Sequence, residues 1–239
     1  EKGIAWLKLI AEGRAGHGSL RHQDNAVAEL SAAVARIGGY EWPRKITDSQ
    51  RVFLETVAEA FDIDLDPDQV EETLGRLGGI ARMVGATMSN TANPTMLTAG
   101  YKHNVIPSKA EAGIDGRFVP GGEDEFYATI TDLIGDKVRY EVVNHQPSVE
   151  TQFSGALVEA MQVCLAAEDP HAQAVPYLVS AATDAKAWDR AGIACFGFAP
   201  LRMPPELDFW GMFHGVDERV PTDSLEFGAR VLDRFLDRA

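Results

Sequence analysis

The chain has 239 residues and a formal net charge of −14, with 22 Lys and Arg against 36 Asp and Glu. Hydrophobic residues make up 45% and charged residues 24%, which excludes fibrous, collagen-like and disordered classes, and a surface this acidic repels phosphate backbones, so no nucleic-acid partner is expected. No apolar run approaches the ~18 residues of a membrane helix, so no membrane partner is expected either, and Cys164 and Cys195 are too few for a disulfide framework or a thiolate metal site.

The chain opens at Glu1 rather than at a methionine and enters a strand-like run directly. That reads as a processed chain or as part of a longer protein, and the lack of a basic or apolar leader gives the expectation of a cytoplasmic location. Residues 3–12 alternate loosely around Trp6 and Ile10 and read as a strand. Residues 13–22 form a Gly/His/Ser-rich loop. Over 23–37, Ala26, Val27, Leu30, Val34 and Ile37 share a helical face, and Gly38-Gly39 ends the helix. Residues 40–90 interrupt the pattern as a helical insertion. It carries one stripe through Phe53, Val57, Ala60 and Phe61, and a second through Val70, Leu74 and Leu77 started by Asp66-Pro67.

Strands return at 95–102 and at 109–119. In the second, Ala110, Ala112, Ile114, Gly116 and Phe118 face one way and Glu111, Asp115 and Arg117 the other. A helix over 123–134 and a strand over 137–144 follow. With 40–90 set aside, the order is β-α-β-β-α-β, the split βαβ arrangement of helices on a four-stranded antiparallel sheet. Beyond His145-Gln146-Pro147 the texture becomes α/β. It has a helix over 152–167, short apolar runs at 174–180 and 192–198 that read as buried parallel strands, and a short helix at 184–191. A proline-rich loop over 199–213 leads to a last helix over 223–237 with an Asp223-x-x-Glu226 capping signature.

Few residues stand out chemically. His17 lies between two glycines in Gly16-His17-Gly18-Ser19, which leaves its ring free to approach a ligand. Asn104-Val-Ile-Pro107 sits at a strand end. Asp115 and Arg117 share a strand face, so Arg117 either pairs with Asp115 or clamps a carboxylate in bidentate fashion. Asp184, after Thr183, is either a helix N-cap or part of a substrate-binding turn. His214, in Phe213-His214-Gly-x-Asp-Glu218, could ligate a metal, but one histidine does not make a zinc site.

Taken in order, Gly-x-x-Gly-His17-Gly-Ser, Asn104-Val-Ile-Pro, Asp115-x-Arg117, Thr183-Asp184-Ala, Gly192-Ile-x-x-Phe-Gly-Phe-x-Pro200 and Phe213-His214-Gly-x-Asp-Glu218 resemble the M20 metallopeptidases. That group includes aminoacylase-1, acetylornithine deacetylase, succinyl-diaminopimelate desuccinylase and the glutamate carboxypeptidases. The resemblance implies an α/β protein of two parts. Residues 1–146 would be a ferredoxin-like lid and dimerisation domain, with 40–90 as its helical insertion. Residues 147–239 would be the C-terminal part of a zinc-peptidase-like α/β/α catalytic domain.

It also implies roles. His214 resembles a zinc ligand, and His17 the lid histidine that stabilises the oxyanion, often across the dimer. Asn104 and Arg117 resemble residues that hold the substrate's carboxylate and neighbouring oxygens, and Thr183 and Asp184 a substrate-contacting turn. The implied cofactor is zinc, two per complete site, with cobalt or manganese as substitutes. The implied substrate is a dipeptide or N-acyl amino acid with a free carboxylate, and the implied assembly is a homodimer through the lid. The family's remaining metal ligands and its general base lie upstream of the lid, and Glu71-Glu72, inside the insertion, is not promoted to that base. The chain alone is therefore expected to be inactive. The competing readings are a non-catalytic dimerisation or regulatory module and a small-molecule-binding protein on the split βαβ fold.

Overall fold

A computed structural model describes residues 1–60, 62, 70, 84–204, 206–213 and 215–238. In chain order the elements are β1 (Gly3–Glu12), β2 (Gly16–His17), α1 (Ala26–Gly38), α2 (Asp48–Ala60), β3 (Thr91–Ala99), β4 (Val105–Ile106), β5 (Lys109–Phe118), α3 (Glu123–Ile134), β6 (Val138–Gln146), α4 (Ala156–Glu168), α5 (Ala185–Asp189), a 3-10 turn at Trp210–Met212, and α6 (Thr222–Leu236). They group into two compact units. One comprises Glu1–Lys45, Thr87–Val149 and Val179–Lys186, the other Ile46–Ala86, Glu150–Leu178 and Ala187–Ala239. Among the described residues no helix is long and apolar enough to cross a membrane.

The first unit is built on a four-stranded sheet in the order β3-β5-β1-β6, every pair antiparallel. This is the split βαβ arrangement expected from the sequence. β5 shows why it forms: its even-numbered residues are buried and its odd-numbered ones half-buried or exposed, as a strand covered on one face requires. Ala5, Leu7, Leu9 and Ala11 of β1 and Ala110, Ala112, Ile114 and Phe118 of β5 meet Leu30, Ala33 and Ile37 of α1 and Phe126, Ile130 and Ile134 of α3 in one core. Gly116 is the gap in that row. A Cβ there would lie 2.3 Å from the Phe126 ring and 2.6 Å from the Ala5 carbonyl oxygen.

α1 starts where Asn25 Oδ1 accepts the N–H of Val27 at 3.0 Å and of Ala28 at 3.4 Å, satisfying two donors the helix cannot pair itself. Near its other end Arg36 donates to the carbonyls of Leu133 (2.6 Å) and Ile134 (3.2 Å), so a cation meets the exposed C-terminal carbonyls of α3.

The strand expected over 95–102 begins earlier, at Thr91, and contains Pro94. Proline is tolerated because β3 is an edge strand, and the register shifts between Pro94 and Met96. The runs at 174–180 and 192–198 are not strands. An apolar run becomes a strand only where a neighbour completes its backbone hydrogen bonds, and the described residues offer these runs no ladder.

In the second unit α2 buries Gln50, Phe53, Leu54 and Ala58; of the expected stripe Phe53 is buried, Val57 half-buried and Ala60 exposed, and Phe61 lies outside the described residues. The second stripe of the insertion lies outside the described residues except for Val70, which is buried. α4 and α6 pack through Cys164, Phe227 and Val231, flanked by Phe198 and Phe235. Across this contact Glu168 accepts from Arg230 at 2.8 Å and Arg234 at 2.6 Å. The expected Asp223 cap is not made: Pro221 is the cap residue and Asp223 lies in the first turn. Leu157, Val163, Leu225, Leu232 and Leu236 stay exposed on these two helices.

Candidate functional site

The first unit gathers the expected site residues into two clusters. At one end β2 and β4 form a two-stranded ribbon in which His17 pairs with Val105. The N–H of Gly18 donates to the Asn104 carbonyl at 2.9 Å, so His17 and Asn104 flank one ribbon. A Cβ on Gly18 would sit 3.3 Å from Asn104 backbone, which favours glycine at this crossing. Both side chains are exposed. The ring of His17 is oriented locally: its Nδ1 lies 2.8 Å from Ser19 Oγ and accepts the Ser19 backbone N–H at 3.3 Å. An N–H aimed at Nδ1 requires a lone pair there, which puts the proton of the neutral ring on Nε2. His17 thus presents an N–H donor to solvent. Sequence reading did not single out Ser19 for this. Its position two residues past the histidine is the signal that could have.

The second cluster lies at the other end of the sheet. Arg117 of β5 stands opposite Ile4 of β1 and Thr91 of β3. Its Nε and Nη2 donate to Asp115 at 2.6 and 3.1 Å, so the structural pairing is made. Those bonds use two of five guanidinium donors, leaving the fork able to take a further carboxylate. Beside it Lys2 is fully buried, its ammonium donating to the Ser89 carbonyl at 2.8 Å and to Thr91 Oγ1 at 3.2 Å. Burial pushes the Lys2 pKa down to about 7, the Arg117 charge adds to the shift and Asp115 opposes it.

The turn with Thr183 and Asp184 belongs to this cluster. Thr183 donates its N–H to Glu1 Oε2 at 3.2 Å and its hydroxyl to Glu1 Oε1. Thr183 Oγ1 also accepts the Ala185 N–H at 3.1 Å, so Thr183 rather than Asp184 caps α5. Asp184 is exposed. Lys186, which sequence reading passed over, is buried beneath this turn.

The two clusters do not meet. β1 and β5 stay in register from Ile4↔Arg117 to Glu12↔Lys109, a run of about 27 Å at the usual strand rise, and the β2–β4 ribbon lies beyond Glu12. His214, like Glu71-Glu72, lies outside the described residues. Among the described residues no three His, Cys, Asp or Glu side chains group to hold a metal ion.

Comparison with known proteins agrees with this fold. The profile of the peptidase dimerisation domain of the M20 family matches residues 1–139. The chain is 24% identical over 232 residues to probable carboxypeptidase S-like 2 of Dictyostelium discoideum, covering 92% of this chain and 44% of that protein. It is 26% identical to aminoacylase-1 of Sus scrofa, covering 92% and 46%. Among solved structures, the di-peptidase Dug1p of Saccharomyces cerevisiae superposes with a TM-score of 0.64 at 11% identity, covering 99% of this chain and 54% of that one. With more than half its length matched, the chain belongs to the M20 peptidase dimerisation-domain family. It spans about half the length of the curated relatives it matches.

Proposed function

We propose that this chain is the lid and C-terminal portion of an M20 amidohydrolase that cleaves the amide bond of a dipeptide or N-acyl amino acid with a free carboxylate. In this reading residues 1–146 are the lid and dimerisation domain, and 147–239 belong to the catalytic domain. Membership of the family supports the reaction class. The exposed apolar faces of α4 and α6 fit helices that cover the rest of a catalytic sheet.

The observation that carries the reading is the placement of the two clusters. His17 offers an Nε2–H donor suited to a developing oxyanion, and Asn104 beside it offers an amide to neighbouring oxygens. Arg117 offers the fork for the substrate carboxylate, with the Thr183-Asp184 turn beside it. A dipeptide is far shorter than the sheet that separates these clusters. One site therefore takes Arg117 and Thr183 from one protomer and His17 and Asn104 from its two-fold mate, which makes the homodimer part of the catalytic unit.

The described residues do not by themselves fit a metal cage. His214 is assigned as one ligand, with the other ligands and the general base assigned to the remainder of the complete enzyme. Zinc, two ions per site, is the metal proposed, with cobalt or manganese as substitutes. It would supply an activated water. By itself this polypeptide is read as a non-catalytic dimerisation module, and zinc-dependent hydrolysis by it alone would overturn that. The two free thiols, Cys164 and Cys195, fit a reducing, cytoplasmic compartment.

Mixing inactive variants tests the shared site. In the complete enzyme, assayed with substrate well below KM, Arg117→Ala and His17→Ala homodimers should each be nearly inactive. Unfolding and refolding them together at equal amounts should restore about a quarter of wild-type activity, because half the dimers are mixed and each has one intact site. No recovery, with mixed dimers demonstrated, would refute the shared site.

A further inference from the structure

We propose that Lys186 is a positioning residue whose buried ammonium pins the Thr183-Asp184 turn to the base of the sheet, so that the turn and Arg117 move as one rigid end of the first unit. The substrate-facing half of this inference rests on the function proposed above. The pin itself does not.

Three stretches of chain come together here, far apart in sequence and all in the first unit. Glu1-Lys2 leads into β1, Pro147–Val149 follows β6, and Val179–Lys186 ends in α5. Main-chain bonds join them in part: Val149 N–H donates to Glu1 O at 3.0 Å, and Lys2 N–H to Val179 O at 3.0 Å. Lys186 closes the arrangement. Its Nζ donates to the carbonyl of Lys2 at 2.6 Å and to that of Pro147 at 2.6 Å. One ammonium on the third stretch thus holds the other two.

Lysine is rarely this buried, at 3% exposure, without a reason. Burial lowers its pKa and so opposes the charged form, Glu1 raises it and Arg117 lowers it further. The arrangement is kept because a three-donor ammonium on a flexible stem can reach two diverging carbonyls at once. Both bonds are charge-assisted, which makes them stronger than bonds between neutral groups. The Lys186 backbone N–H accompanies this by donating to Thr183 O at 3.4 Å, so the pinned residue and the functional turn are contiguous. Beside the pin, Thr183's bonds to Glu1 and the Val179 bond to Lys2 tie this stretch to the start of the chain.

The test compares wild type with Lys186→Met and Lys186→Arg in the complete protein. Methionine keeps the length and loses the donors, whereas arginine keeps both charge and donors. In Lys186→Met, amide exchange at Lys2, Val149, Thr183 and Ala185 should accelerate about tenfold or more, while Leu7, Leu9 and Ile114 in the sheet core keep their wild-type rates. KM for a carboxylate-bearing substrate should rise about tenfold with kcat changed less than about threefold, and Lys186→Arg should recover most of both effects.

Unchanged exchange at those four amides overturns the pin whatever the enzyme's activity. Raised exchange with unchanged KM overturns the positioning role. Should Lys186→Met fail to fold, the wild-type protein still decides: the Lys186 ammonium should give a slowly exchanging nitrogen–proton resonance with couplings to the Lys2 and Pro147 carbonyl carbons. A rapidly exchanging ammonium without them refutes the proposal.

Discussion

Arg117 and His17 stand at opposite ends of one antiparallel ladder, separated by the full register from Ile4↔Arg117 to Glu12↔Lys109. No rotamer change brings them to one small substrate. The same ladder that holds each residue in place keeps them apart, and this separation is the reason the proposed site draws on a second copy of the chain.

Arg117 should act on binding more than on turnover. In the complete enzyme Arg117→Ala is expected to raise KM and lower kcat/KM by about two orders of magnitude, the scale of a lost charge-assisted bidentate contact. Arg117→Lys should recover little, because a point charge cannot copy the fork that also holds Asp115. Steady-state kinetics on a substrate and its carboxamide analogue checks this. The analogue should be nearly indifferent to the substitution, and equal losses on both would remove the carboxylate role.

Gly116 should resist even a methyl group. The Phe126 ring and the Ala5 carbonyl occupy the space a Cβ needs, so Gly116→Ala is expected to destabilise the fold by about 1–3 kcal/mol through overpacking. Phe126→Ala should cost about 3–5 kcal/mol by opening a cavity in a fully buried position. In the double variant the new methyl meets no ring, so the two effects should be less than additive. Denaturant unfolding of the three variants measures the coupling, and strict additivity would contradict the packing described.

Lys2 gives a pH dependence with a definite sign. Its pKa is about 7 in the folded chain against 10.5 when exposed, so between these values the unfolded state binds more protons. Stability contributed by this group therefore rises with pH across that window and is lowest below pH 7, where the buried ammonium is charged in both states. The wild-type unfolding free energy minus that of Lys2→Met should become more favourable between pH 7 and 10. A flat difference would show that Lys2 stays protonated throughout.

Legibility from sequence varied with the range of the interaction. The alternation of Ala110, Ala112, Ile114 and Phe118 and the stripe from Ala26 to Ile37 announced β5 and α1, because local period alone decides which face is buried. The glycines around His17 marked the loop, though not the Ser19 N–H that orients the ring. In the second unit local signals did worse. The Asp223 capping pattern did not become the cap, which falls at Pro221, and the apolar runs after 174 found no strand partners among the described residues.

The sequence by itself determined the class of fold and which residues could do chemistry, since hydrophobic period, helix stops and motif order are written locally. Only the tertiary structure decided how those residues combine. Strand register set the distance from Arg117 to His17, and long-range closure placed Lys186 under the carbonyls of Lys2 and Pro147, residues 184 and 39 positions away. Such relations depend on which distant backbone groups need a partner once the core has closed, and no local pattern specifies that.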